Sequence, residues 1–304
     1  MRRRGSQAGR QTIRGGFKKK VWRSSIGALR SKYRLNELCR YFEVSRSGYY
    51  KAVSAADRKA LNETVILSLV HEVRRNHPRL GGKKLYFLLK KDITKAGIRM
   101  GRDMFFELLG RHKLLVKRRR KYVSTTDSYH RFRVYRNLMK DRQLTSAHQC
   151  WVSDITYIRT SKDFVYLFLI TDAFSRKVVG WHLSDSLRIA GAIRSLQMAI
   201  RQRQFTDSLI HHSDRGIQYC SNDYTKLLKK AKIGISMTEE NHCYENAMAE
   251  RVNGILKQEY GLDSTFTSEK DALRAVKEAI NSYNMSRPHW SLNLATPQQI
   301  HMAA

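Results

Sequence analysis

Long apolar runs, paired cysteines and acidic residues are what this sequence has least of. Its longest apolar stretch, Phe164–Ile170, is seven residues, far short of the ~20 that a membrane-spanning helix needs. Met1–Lys20 holds eight basic residues, no acidic ones and no apolar segment, so it reads as a disordered basic tail and not as a secretory signal. The four cysteines, Cys39, Cys150, Cys220 and Cys243, are scattered. That spacing suggests neither a disulfide framework nor a zinc ribbon, and fits a reducing cytoplasm. A membrane-surface role would call for a basic amphipathic helix, which the pattern lacks. What is present is positive charge: 58 Lys+Arg against 26 Asp+Glu over 304 residues, a net +32. A hydrophobic fraction of 41% with 10% aromatics supplies real cores and excludes global disorder.

The charge is unevenly placed. Residues 1–150 carry a net +29 and residues 151–304 a net +3, so one half is suited to a polyanion and the other is free for different work. In the basic half, Leu35, Leu38, Cys39 and Phe42 repeat at helical spacing, and Val44–Tyr50 reads as a turn opening a second helix. Leu61–Asn76 is amphipathic through Val65, Leu69 and Val73. His77-Pro78-Arg79-Leu80-Gly81-Gly82 ends it, because proline and paired glycines break helices. Lys83–Ile93 and Gly101–His112 follow as two more short helices. Helices with tight turns in a basic setting fit a helix-turn-helix module, and a small helical bundle with a solvated positive face is the plainer alternative. Val116–Lys121, with Arg118, Arg119, Arg120 and Lys121, begins a basic linker that continues through Arg131, Arg133 and Arg136 to about Ala147. A strip of that kind tracks a phosphate backbone.

From Gln149 the texture changes. Trp151–Thr160, Phe164–Phe174 and Lys177–Leu183 are β-rich runs joined by polar turns. Ile189–Arg203 is helical, Ser208–Ser213 a strand, Asn222–Lys230 a helix, Ile233–Met237 a strand, and Ala247–Tyr260 and Glu269–Tyr283 are helices. The order βββαβαβαα predicts an α/β fold, a ribonuclease-H-like mixed sheet with helices on both faces. Three carboxylates fall where such a sheet gathers them: Asp154 within the first strand, Asp214 at the end of the fourth, and Glu250 on a helix, with 59 and 35 residues between them. Phosphoryl transfer needs hard oxygen ligands for divalent cations, and carboxylates from two strands and a facing helix supply them. Asp154 stands out because a charge in an apolar, β-branched strand is costly without a partner.

The contexts of these acids, Trp-Val-Ser-Asp-Ile-Thr-Tyr (151–157), His-Ser-Asp-Arg-Gly-Ile-Gln-Tyr (212–219) and Glu-Asn-Ala-Met-Ala-Glu-Arg-Val-Asn-Gly-Ile-Leu-Lys (245–257), resemble those of insertion-sequence transposases of the DDE superfamily, relatives of retroviral integrases. The resemblance is to the IS-three family and its second-frame product, and it runs from about Leu35 to Pro297. Val44–Tyr50, His77–Gly82 and Gly101–Leu109 look like its helix-turn-helix region; Tyr283-Asn284, Arg287-Pro288-His289 and Thr296-Pro297 match its C-terminal signature. The resemblance implies an integrase-type catalytic core in which Asp154, Asp214 and Glu250 are the catalytic acids and hold two Mg²⁺ (or Mn²⁺) ions. It makes Lys257, two helical turns after Glu250, a residue for a terminal DNA phosphate. Asn246, one turn before Glu250, is a further candidate for the carboxylate or for DNA.

The expected organisation is a basic tail (1–30), a helical helix-turn-helix DNA-binding region (31–120), a basic linker (121–147) and the catalytic domain (148–304). The resemblance implies a DNA transposase that cuts at element ends and transfers strands, working on double-stranded DNA as a homo-oligomer, with a first-frame product as a further partner. It implies a cytoplasmic bacterial protein, nucleoid-associated when DNA-bound. A metal-dependent nuclease and a catalytically silent DNA-binding regulator of the same element are the alternatives. The family's leucine zipper has no counterpart heptad run here, and His242-Cys243 stand where relatives carry a proline-containing turn. A His/Cys metal site with His211 and His212 is the reading that those two residues raise, with a structural role as its alternative. Trp181 and Trp290 read as core aromatics.

Overall fold

The computed structural model describes residues 22–116, 131–140, 142–203, 208–239 and 247–303. Arg118–Lys121, His242, Cys243 and Asn246 lie outside them. The chain divides into two compact units, one formed by residues up to His71 with Lys91–Met100, the other by Glu72–Lys90 with Gly101 onward.

In the first unit, helix α1 (residues 22–29), α2 (Leu35–Tyr41) and the N-terminal part of α3 (Arg46–Asn76) enclose a small core of Ile26, Leu38, Cys39, Phe42 and Tyr49. The turn between α2 and α3 is tight: Glu43 takes a left-handed φ of 58°, and Ser45 Oγ accepts from Gly48 N at 2.9 Å, capping α3. The turn is therefore shorter than expected. Arg46–Tyr50 are already helical, and α3 runs unbroken for 31 residues where a break before Leu61 was expected. The physical reason is the stretch from Lys51 to Thr64, which has no glycine or proline and is rich in alanine and charged helix formers.

Helices α4 (Gly82–Lys95) and α5 (Arg102–Arg111) precede the sheet. Strands β1 (Cys150–Arg159), β2 (Phe164–Asp172) and β3 (Val178–Ser184) form an antiparallel meander; α6 (Ile189–Gln202), β4 (Ile210–Ser213), the short α7 (Ile217–Cys220), α8 (Asn222–Lys230), β5 (Gly234–Met237), α9 (Ala247–Tyr260), α10 (Glu269–Ser286) and α11 (Pro297–Met302) complete the second unit. The strand order is β3-β2-β1-β4-β5, with β4 parallel to both β1 and β5. This is the expected mixed sheet. The helices α7 and α11 and the three-residue 3₁₀ turn Trp290–Leu292 are additions that short polar segments did not signal.

Alternation along β2 shows how both faces are covered. Leu167 and Leu169 pack with Val252, Ile255 and Leu256 of α9 and Val276 and Ile280 of α10. Phe168 and Ile170 pack on the opposite face with Ala192, Leu196 and Ala199 of α6 and Leu228 of α8. Helix α6 lies so close that a methyl group at Gly180 would overlap the Ser195 carbonyl, and one at Gly191 the Phe168 ring. Trp181 packs against the α9 and α10 side as expected, whereas Trp290 is 58% exposed and is no core residue.

Candidate active site

Odd and even residues of β1 part company at Asp154. Val152 packs with Ala249 and Ile158 with Val252, so the even positions, Asp154 among them, face α9. Pairing of β1 with β4 sets Ser153 opposite Ser213. The residue after each is an acid, Asp154 within β1 and Asp214 just past the end of β4, which brings the two side by side. Asp214 closes its own turn, its Oδ1 accepting from Gly216 N at 3.0 Å.

The Asp154 carboxylate is held at both oxygens. Oδ1 accepts from Ile155 N at 2.9 Å and Oδ2 from Asn253 Nδ2 at 2.7 Å. Burial, then the neighbouring Asp214 charge, push its pKa up to about 7; the two hydrogen bonds oppose this and Glu250 adds a further upward push. Two negative groups thus crowd a third in a poorly hydrated place, the condition that a cation relieves.

Glu250 lies in the first turn of α9 and is exposed. Among the described residues no three His, Cys, Asp or Glu side chains stand close enough together to hold a metal ion, so Glu250 is present as a charge near Asp154 and is not closed onto it. The donors nevertheless suit a hard divalent cation. They are carboxylates, and beside them the buried Asn253 Oδ1 has no hydrogen-bond partner, an oxygen that a ligand shell or ordered water would satisfy.

Lys257 is half-buried, with Nζ 4.3 Å from the Tyr157 ring centroid. Burial lowers its pKa, while Asp154 and Asp263 work against that, which places its ammonium within the field of the carboxylates. Lys257 and Glu250 are on the same helix face, as the spacing required. Asn253 is the residue that the sequence reading passed over. It lies three positions after Glu250, hence on its face, and it is the side chain that touches Asp154.

The histidines have other employment. His211 is fully buried, with Nε2 2.6 Å from Ser153 Oγ and 2.9 Å from Tyr224 Oη, and burial lowers its pKa to about 3. His212 Nδ1 meets Ser236 Oγ at 2.8 Å. Both rings tie strands and helices together inside the sheet.

The His77–Gly82 segment is likewise occupied with α9. His77 bridges Tyr260 Oη through Nδ1 and Ser286 Oγ through Nε2, each at 3.0 Å. Arg79 N donates to the Glu259 carbonyl at 3.0 Å, and its guanidinium pairs with Asp263 at 3.1 Å. Glu259 is gripped by Arg287, which donates through Nε and Nη2 at 2.7 Å each. These contacts fix the C-terminal end of the helix whose N-terminal end carries Glu250 and Asn253.

Comparison with known proteins agrees with this geometry. The integrase core domain matches residues 145–243, and a second integrase core domain description matches residues 231–297. The chain is similar to an uncharacterised 31 kDa protein of insertion element IS600 from Shigella sonnei, 33% identical over 86% of this chain and 96% of that one. It is similar to the transposase of IS629 from Shigella sonnei, 30% identical over 86% of this chain and 89% of the other. The transposase InsF of IS3A from Escherichia coli strain K12 is 29% identical over 88% of this chain and 94% of its own length. Among solved structures, the HTLV-2 integrase catalytic core domain in complex with magnesium matches 55% of this chain and 99% of its own, at 20% identity and a TM-score of 0.42. Among the described residues no helix is long and apolar enough to cross a membrane. With the integrase core over its second half, the acids juxtaposed in it and insertion-element relatives along nearly their whole length, the chain belongs to the IS-three family of DDE transposases, polynucleotidyl transferases that move insertion sequences.

Proposed function

We propose that Asp154, Asp214 and Glu250 form the catalytic site and together bind two Mg²⁺ or Mn²⁺ ions, and that the site cuts double-stranded DNA at the element ends and joins the freed 3′-OH to a second phosphodiester. The observation that carries this is Asp154, set in a strand and raised to about 7 by burial and the Asp214 charge. When bound, the cations would stabilise charge on the attacking and leaving oxygens of an in-line displacement. The chain's own residues do the positioning. Asn253 and the Ile155 N–H orient the Asp154 oxygens. Lys257, braced on Tyr157, offers its ammonium to a phosphate beside the acids. Water attacks first and the resulting 3′-hydroxyl second, in the same site, with no covalent protein–DNA bond.

Residues 31–120 and the basic stretch 121–147, with Arg118, Arg119, Arg120 and Lys121, supply affinity for DNA, and Asn246 sits before the catalytic helix as a further DNA contact. The basic tail adds charge, and it is shorter than the expected 1–30, because residues 22–29 are helix α1 with Ile26 in the first unit's core. The working form is a homo-oligomer on two element ends in the bacterial cytoplasm, associated with the nucleoid when DNA-bound, with the first-frame product as a further partner. Purified chain with Mg²⁺ and pre-cleaved element-end DNA tests the reading. Joined product from the wild type and none from Glu250→Gln is expected. Cutting without joining would transfer the assignment to a nuclease, and DNA binding with neither step to a regulator, unless adding the first-frame product restores joining.

A further inference from the structure

Residues 131–140 do not behave as a solvated linker. They run extended along the edge strand β5, with Leu138 N donating to Ser236 Oγ at 2.8 Å and Tyr135 N to Met237 Sδ at 3.5 Å. The Tyr135 ring is clasped by two cations, the Arg133 guanidinium 5.3 Å and the Lys229 ammonium 5.9 Å from its centroid. Between this strap and the segments that follow β4 and β5 lies a pocket of about 430 Å³, lined among others by Arg136, Asn137, Arg215, Thr238 and Glu239. Arg215 donates from Nε to the Thr238 carbonyl at 2.8 Å, which fixes its guanidinium across the two segments. Arg136 is open to solvent.

Two guanidinium groups, one on the strap and one after β4, with Arg133 and Lys229 close by and Glu239 the one carboxylate among the described lining residues, make the pocket electropositive. Planar guanidinium groups match the geometry of phosphate oxygens. The position is as telling as the charge. Arg215 directly follows Asp214, and Glu239 leads into the segment that ends at Glu250, so the pocket adjoins the catalytic acids on the Asp214 side. We infer that it seats a backbone phosphate of the DNA strand, next to the phosphodiester that reacts, with Arg136 and Arg215 as its ligands. This rests on the transposase reading above and adds the place where the strand is gripped.

The test uses the full chain and a duplex copied from the end of its own element. Binding is measured against salt for wild type, Arg136→Ala and Arg136→Lys. Each lost phosphate contact reduces the slope of log K against log salt by about 0.9, so Arg136→Ala is expected to lose about one unit of slope and Arg136→Lys to regain it. The melting temperature should stay put, because the side chain is exposed. A second arm places Arg136→Cys in a Cys243→Ser background and offers duplexes with a thiol tethered to one phosphate, on the end strand in one set and on the target strand in the other. Disulfide capture by either set supports the pocket and says which strand it holds. An unchanged slope in Arg136→Ala, or capture by neither strand, overturns the proposal while leaving the transposase reading intact. Wild-type chain that binds but joins nothing would remove the reading beneath it.

Discussion

Asp172, at the end of β2, and Asp154, in the middle of β1, are carboxylates set into the same sheet with different companions. Asp172 is wholly buried and every donor around it belongs to the chain: His148 N at 2.7 Å, and Ser175 N and Oγ at 2.8 Å each. Ser175 Oγ in turn meets His301 Nδ1 at 2.9 Å, which ties α11 to the β2–β3 corner. Asp154 has two donors, and the charges around it are two acids, Asp214 and Glu250, with Lys257 as the cation in their field. A buried carboxylate saturated by donors holds a fold together. One crowded by two further carboxylates, with its pKa pushed up despite a nearby lysine, has more negative charge around it than the chain balances, and that marks it for chemistry.

The comparison can be broken at several points. The largest effect is expected for Asp214→Asn, which takes away one of the crowding acids: metal-dependent nicking and joining should fall on the order of a thousandfold, with the melting temperature held or raised, as single-turnover kinetics and calorimetry would show. Asp172→Ala should do the reverse. It strands three buried donors, costs about 3–5 kcal/mol, and lowers the melting temperature by roughly 10 °C, with joining per folded molecule unchanged. Arg287→Ala tests another saturated site. Arg287 is 1% exposed and makes a bidentate pair with Glu259, so leaving Glu259 alone should cost about 3 kcal/mol in urea unfolding.

Asn253→Ala sharpens the comparison from the other side, since Asn253 supports Asp154, the member of the pair proposed for catalysis. Joining should drop roughly 10- to 100-fold, the usual loss when a partner of a metal-binding group is removed, with little change in stability. A further prediction concerns pH. Burial lowers the pKa of His77 and His301 from 6.5 to about 4, and of His211 and His289 to about 3. The folded chain therefore refuses protons that the unfolded chain accepts. The stability these histidines contribute is complete above pH 6.5 and declines as pH falls toward 4 and then 3, while Asp154, raised to about 7, works the other way as it takes up its proton. A melting temperature that rose on acidification below about pH 5, where Asp154 is already protonated, would contradict the buried, neutral histidines.

Much of this was legible in the sequence because the signals were local. Asp154 could be picked out as a charge in a β-branched strand, and the face shared by Glu250 and Lys257 follows from helical spacing. The missing parts depend on residues far apart in the chain. His77 looked like part of a helix-breaking turn, which it is, but its partners Tyr260 and Ser286 are 183 and 209 residues away. Asn253 contacts a residue 99 positions earlier; its place three residues after Glu250 was the available clue. Asp172 lay unremarked inside the expected Phe164–Phe174 strand, and its donors come from Ser175 and from His148, just before the start of β1. The turn expected over Val44–Tyr50 and the helix expected over Leu61–Asn76 are parts of one helix, α3, whose first turn packs Tyr49 into the first unit's core.

The most direct test of the difference between the two carboxylates is to make the same change at both. An amide accepts hydrogen bonds at one oxygen only. At position 172, Asp172→Asn must turn its NH₂ toward either His148 N or Ser175 N; the Ser175 hydroxyl can accept on its side, but a backbone N–H is left facing an N–H in either orientation. At position 154, Asn253 can rotate its unpartnered Oδ1 to receive the new N–H, and the repulsion from Asp214 is relieved. Metal-dependent strand joining and thermal melting, measured together, should therefore separate: Asp154→Asn loses joining and melts at or above the wild-type temperature, whereas Asp172→Asn joins normally per folded molecule and melts several degrees lower. Joining that survives in Asp154→Asn, or a melting temperature that falls there as it does for Asp172→Asn, would contradict the claim that Asp154 is reserved for catalysis.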